Sequence, residues 1–194
     1  MTTSYDPSGV HPVLGVDAGT TTLREADHLI HDLAATLALP PGTVACTHLI
    51  RTDARRGTAV SLELPDTESA EEARRRLAED PSTPLGNHEA AAHAATEHTA
   101  RRSGRAVLFP GAEHLTGTIT VADLLERTAI DGVIVVGATS GDAPDPATPV
   151  HTQDHVRPEW REGRLVLALV PAAGNTLAPF EVSNPTPCCS DHTN

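Results

Sequence analysis

Residues 43–66 read TVACTHLIRTDARRGTAVSLELPD. Two apolar, β-branched runs flank Arg55-Arg56-Gly57, which predicts two strands joined by a turn at those residues. Residues 155–171, HVRPEWREGRLVLALVP, predict a second hairpin. The two stretches echo each other. Arg51 and Arg157, Asp53 and Glu159, Arg55 and Arg161, Gly57 and Gly163, and Pro65 and Pro171 stand at equal offsets. Two related helix-plus-hairpin halves within one sheet would give this pattern, and so would two unrelated hairpins sharing turn chemistry.

Working outward, residues 20–42 (TTTLREADHLIHDLAATLALPPG) place Leu23, Ala26, Ile30, Leu33 and Leu37 at helical spacing before a Pro-Pro-Gly stop. Thr22 and Glu25 fit a capping box. TESAEEARRRLAED (67–80) puts acids before arginines, the order that a helix dipole favours. HEAAAHAATEHTARR (88–102) predicts an alanine-rich helix with Asn87 as its cap. AVLFPG and DGVIVVGAT read as strands, TVADLLERTAI as a helix, and TLAPFEV as an edge strand.

The expected fold is α/β in the α+β-like sense: a single domain whose mixed or mostly antiparallel sheet is covered by about four helices. Residues 1–19, broken by Pro7, Gly9, Pro12 and Gly15, are expected to form an irregular arm. The globular domain is expected over 20–182, followed by a Pro-rich tail over 183–194.

Composition removes several functions. The chain has 194 residues and a formal net charge of −12, with two Phe, one Trp and one Tyr. Its core must therefore be aliphatic. Nucleic-acid binding needs clustered cations, and here all the basic side chains except histidine are scattered arginines. Without lysine there is neither a P-loop lysine nor Schiff-base chemistry. No basic, apolar leader and no membrane-length apolar run stands out, so a cytoplasmic location with reduced cysteines is expected, with no membrane partner. The partner to expect is another protein or a second copy of the chain. A hydrophobic edge strand such as LVLALV would suit self-association if its neighbour does not cover it.

VLGVDAGTTT (13–22) resembles the first phosphate loop of actin-like sugar kinases and chaperone ATPases. The resemblance implies that Asp17 would hold a magnesium-bound water and that Gly19 to Thr21 would hold phosphate. It ends at Thr22, because that family continues into a strand and this chain continues into a helix. HEAAAH (88–93) resembles the metallopeptidase motif H-E-x-x-H. His88 and His93 are five residues apart, however, and diverge by about 140° on a helix. Glu89, His93 and Glu97 do share one helix face. Asp27, His28, His31 and Asp32 would form exposed i,i+4 pairs on the first helix.

The remaining constellation is sulfur. NPTPCCSDHTN ends the chain, and vicinal cysteines suit one soft metal better than they suit a bond to each other. Cys46, Cys188, Cys189 and His192 would make a Cys₃His zinc-type set, with His48 as another fourth ligand. Three classes follow. The first is a small accessory or binding protein with this soft-metal site, not an enzyme. The second is a non-catalytic assembly protein that uses its acidic surface and its ends. The third is a metal-dependent enzyme using the 88–98 helix or His151, Asp154 and His155.

Overall fold

The structure is a computed structural model that describes residues 11–52, 55–79, 88–137 and 143–183. The elements run β1 (Val13–Val16), α1 (Leu23–Thr36), β2 (Val44–Arg51), β3 (Arg56–Glu63), α2 (Thr67–Glu79) and α3 (His88–Thr99). They continue with β4 (Arg105–Leu108), β5 (Thr118–Thr120), α4 (Val121–Arg127), β6 (Gly132–Val135), β7 (Pro149–His151), β8 (Glu159–Arg161), β9 (Arg164–Ala172) and β10 (Thr176–Pro179). The strands form one sheet in the order β1-β3-β2-β4-β8-β9-β10-β7-β5, with β6 alongside β9. Pairing is antiparallel except for β6 with β9 and β10 with β7. The mixed, mostly antiparallel sheet with four helices agrees with the sequence reading. No helix of the described residues is long and apolar enough to cross a membrane.

The two hairpins lie in the same sheet, bridged by β4, which pairs with both β2 and β8. Their turns differ. Glu162 and Gly163 both have positive φ (50° and 83°) and make a two-residue turn of the primed kind that matches strand twist. In the first hairpin the connection runs from Thr52 to Arg55, whose backbone groups bond each other, and Gly57 lies inside β3 rather than in the turn. The glycines at equal offsets in the echo thus have unlike jobs.

Strand alternation sends successive side chains of β2 to opposite faces. Ala45 joins Val60, Leu62, Val107 and the apolar stripes of α1 and α2 on one face. Val44 and Cys46 join Ala106, Trp160 and Leu165 on the other. Helix α3 covers that second face across β1 and β3, meeting Ile50 and Ala59 with Ala90 and Ala94. Covered on both sides, β2 and β3 bury nearly every side chain, unlike a strand with one wet face.

The irregular arm expected over 1–19 is not what the chain forms at Val13–Val16, where β1 pairs with β3. Pro12 and Gly15 read as loop formers, but Gly15 is there for space. A Cβ built on it would stand 1.9 Å from the Ala91 carbonyl oxygen of α3. The alanine-rich helix and the glycine strand approach each other because neither carries bulk. Gly15→Ala is expected to lower stability by about 1–3 kcal/mol, the usual range for overpacking. A lower urea midpoint at unchanged slope is the readout, and an unchanged midpoint would mean that α3 shifts freely.

Candidate functional site

The α1 face of the sheet carries a cluster of charges at the mouth of an open cleft. Asp27 sits on the first turns of α1, next to buried Ala26 and Ile30, so the helix face that packs on the sheet also aims this carboxylate at β4. Capping fixes the helix start: Thr22 Oγ1 accepts from the Glu25 N–H (3.2 Å), and Glu25 Oε2 accepts from the Thr22 N–H (3.1 Å). Arg105 leaves β4 on the same face as Val107. His155 and Arg157 come from the connection between β7 and β8. That connection turns through Gln153 and Asp154, two consecutive non-glycine residues at positive φ (54° and 52°). Such backbone costs free energy and is often kept where a side chain must be aimed. Glu181 follows β10, whose end is tied by the Phe180 N–H donating to the Ala168 carbonyl (2.9 Å).

Arg105 is buried and holds two carboxylates at once. Its Nη1 and Nη2 donate to Asp27 Oδ1 (2.6 Å) and Oδ2 (3.1 Å), and its Nε donates to Glu181 Oε2 (2.6 Å). A further bond joins Nη2 to Glu181 Oε1, and Nη1 reaches Thr47 Oγ1 on β2 at 3.4 Å. Arg157 Nε donates to Asp27 Oδ2 (3.2 Å), and its Nη1 donates to the Val156 carbonyl (3.1 Å). His155 Nε2 lies 3.1 Å from Glu181 Oε1 and is the donor, since an ionised carboxylate only accepts.

The two arginines differ electrostatically. Burial opposes the Arg105 charge, but bonds from Glu181 and Asp27 more than offset it and hold the guanidinium above its usual pKa. At Arg157 burial dominates, repulsion from Arg105 adds to it, and Asp27 does not make up the difference, so its pKa is lowered. Burial works against the Glu181 carboxylate, and bonds from Arg105 and His155 overcome it, lowering its pKa. The cleft above these groups has a volume of about 620 Å³. Leu23, Phe180 and Val182 form its apolar wall, and Arg24, His28 and His31 its polar one.

A second polar layer lies on the opposite, α3 face. Ser61 Oγ stands 2.7 Å from both His48 Nε2 and His98 Nδ1, and His98 Nε2 lies 3.4 Å from Glu63 Oε2. Carboxylate, imidazole and hydroxyl follow one another in relay order. Ser61 and His98 are nevertheless fully buried, which places these bonds inside the packing between the sheet and α3. The distances fit one proton order, in which His48 donates to Ser61 and Ser61 to His98. Among the described residues His48 Nδ1 and His98 Nε2 are then both buried without a hydrogen bond, the latter 3.4 Å from Glu63.

The residues singled out in the sequence fare unevenly. Asp27 does not pair with His31; it serves Arg105 and Arg157 instead. His28 and His31 line the cleft. Of the 151–155 group, His151 bonds Thr118 Oγ1 (2.8 Å), Asp154 accepts from the Gly117 N–H (3.3 Å), and only His155 reaches the cluster.

Asp17 is buried against Arg55 and accepts the Gly19 N–H (2.9 Å), while Thr20 bonds Thr58. The stretch that resembles a phosphate loop therefore braces the first hairpin. His88 and His93 are exposed, and Glu97 is engaged by Arg102 and Ser103.

Cys46 is fully buried, and burial first, with Glu63 adding to it, pushes its thiol pKa up, which favours the protonated form over the thiolate a metal requires. Cys188, Cys189 and His192 lie outside the described residues. Among the described residues no group of three or more His, Cys, Asp or Glu is placed to hold a metal ion. Nothing in the sequence marks Arg105 or Glu181, each an ordinary charged residue there, and Arg157 stands out only as a member of the hairpin echo.

Comparison with protein-family models, curated proteins and solved structures gives no match to this chain, so its own geometry carries the reading of the site.

Proposed function

We propose that the protein is a small binding protein whose ligand carries an acidic group, a carboxylate or a phosphate monoester, seated in the cleft between α1 and the segment after β10. This reading keeps the binding-protein class expected from the sequence and takes the cleft, rather than the cysteines, as the site. One observation carries it. Arg157 is partly desolvated and repelled by Arg105, and its Nη2 has no protein partner among the described residues. An anion would supply the missing bond and relieve the repulsion.

The surroundings agree. On a chain of net charge −12, Arg24, Arg105 and Arg157 gather here against Asp27 and Glu181. Leu23, Phe180 and Val182 offer a wall for an apolar or aromatic body, the usual make-up of a small-molecule pocket.

The test is NMR titration with phenyl phosphate and phenylacetate, with benzyl alcohol as the neutral control. Both acids are expected to shift the side-chain resonances of Arg157 and His155, and benzyl alcohol is not. Arg157→Gln is expected to weaken binding of the acids about tenfold or more, the worth of a charged hydrogen bond. Equal response to benzyl alcohol, or undiminished binding in the variant, would refute the reading.

A further inference from the structure

We infer that Glu181 occupies the seat of the ligand's own acidic group, and that residues 180–183 form a strap which the ligand lifts off Arg105 while Phe180 and Val182 stay against its apolar body. The inference rests on the proposed function of the cleft and adds its regulation and the shape of its ligand.

Every donor atom of Arg105 is taken by Asp27, Glu181 or Thr47. An incoming anion reaches this guanidinium only by replacing one of the two carboxylates. Asp27 is the fixed one: it belongs to α1, it serves two arginines, and its side chain is 15% exposed. Glu181 is the exchangeable one. It lies beyond the last strand, and its side chain is 34% exposed. Among the described residues, besides the bonds of Glu181 itself to Arg105 and His155, the strap's hydrogen bonds to the rest of the chain are the Phe180–Ala168 backbone bond and a 3.5 Å contact from Arg24 to the Ser183 carbonyl. The geometry Glu181 adopts, two oxygens against Nε and Nη2 of one guanidinium, is the one a free carboxylate or phosphate would take.

Charge fits the exchange. With Glu181 withdrawn, Arg105 and Arg157 face Asp27 alone, a surplus of one positive charge beside His155. Two further observations concern the strap. Phe180 is 61% exposed and Val182 39%, so the residues on either side of Glu181 present apolar surface to solvent. A smaller cavity of about 160 Å³ lies against β8 and β9, and it shares Arg157, Phe180 and Glu181 with the main cleft. Glu181 is thus part of the partition between two cavities. Its departure joins them into one groove, which suits an elongated ligand with its acidic group near the middle or at one end.

The experiment measures the affinity of phenyl phosphate for the wild-type chain, Glu181→Gln and the double variant Glu181→Gln/Arg157→Gln. Hydrogen exchange at the Phe180 amide is followed with and without phenyl phosphate. Glutamine keeps the volume and one acceptor, so the fold is expected to persist, and unchanged exchange at the β2 and β3 amides will verify that. Glu181→Gln is expected to bind at least tenfold tighter than wild type, and the double variant is expected to lose the gain. In wild type, saturation with phenyl phosphate is expected to raise exchange at Phe180.

Equal or weaker binding by Glu181→Gln, with Phe180 protection unchanged on saturation, would overturn the strap. If that binding still required Arg157, the anion site itself would stand. Absence of binding to both wild type and Glu181→Gln would overturn the site and the strap together.

Discussion

Replacing Arg105 by methionine is expected to lower the stability of the fold by about 3–5 kcal/mol, the cost of breaking a buried ion cluster by removing one partner. Methionine fills most of the space, so the loss comes from charge rather than from a cavity. Asp27 and Glu181 would be left facing each other with only Arg157 and His155 beside them, two carboxylates in a poorly solvated site. Since small proteins are stable by about 5–15 kcal/mol in all, the variant is expected to unfold well below the wild-type urea midpoint. The triple variant Arg105→Met/Asp27→Asn/Glu181→Gln is expected to recover much of the loss, because removing both sides of a buried pair is far milder than removing one. A cost under about 1 kcal/mol for Arg105→Met would mean that the cluster behaves as an exposed one.

Acid is expected to undo the opposite face. Burial, with repulsion from His93, lowers the His48 pKa from 6.5 to about 4. Burial, with repulsion from His48 and Arg101, lowers that of His98 to about 3, although Glu63 lies nearby. The groups facing the pair are Ser61 and Glu63 on β3, Cys46 on β2, Trp160 on β8, and His93, Glu97 and Arg101 from α3 and the turn after it. Both imidazoles are neutral in the folded chain and take up protons in the unfolded one.

The unfolded state therefore binds more protons below pH 6.5, and stability falls as pH drops from there towards the folded values. Each proton contributes up to about 1.4 kcal/mol per pH unit, so the slope from this pair approaches about 2.7 kcal/mol per unit near pH 5. Carboxylates with lowered folded pKa values, Glu97 and Glu181 among them, add to the slope with the same sign, but they are still largely ionised at pH 5 when unfolded, so the pair supplies the larger share. Urea unfolding at pH 7, 6, 5.5 and 5 reads it directly. His48→Gln, which keeps a donor for Ser61, is expected to halve the pair's share of the slope. A stability flat between pH 7 and 5 would show that the two rings are already solvated.

Much of this architecture was legible in the chain, and for local reasons. The capping box at Thr22, the apolar stripe from Ala26 to Leu37 and the two hairpins announce themselves within windows of about 15 residues, the range over which propensity and periodicity speak. Val13–Val16 did not, because its glycine reads as a breaker until α3 is seen to need the room. Thr118–Thr120 and Pro149–His151 are three-residue strands that exist by pairing with each other.

On α3 the stripe that packs is Ala90, Ala94 and His98, spaced four apart and buried, whereas the polar stripe one residue back, Glu89, His93 and Glu97, is the one that looks like chemistry in the sequence. A histidine in register with two core alanines was the available sign. For the cleft there was little to find. His155 was within view as part of a loop, but Asp27 offered an ordinary helical partner at His31. Nothing local ties Asp27 to Arg105, 78 positions on, or to Arg157, 130 positions on.

That same scatter has a kinetic consequence. The cluster is stitched from a helix near the start of the chain, a strand in its middle, a turn beyond it, and a residue past the last strand, with Arg105 and Glu181 themselves 76 positions apart. Such contacts close large loops, and chains dominated by them fold slowly because the entropy is spent before the bonds form. The cleft exists only once all of these loops have closed. Occupancy of its arginines therefore reports that four distant segments have come together.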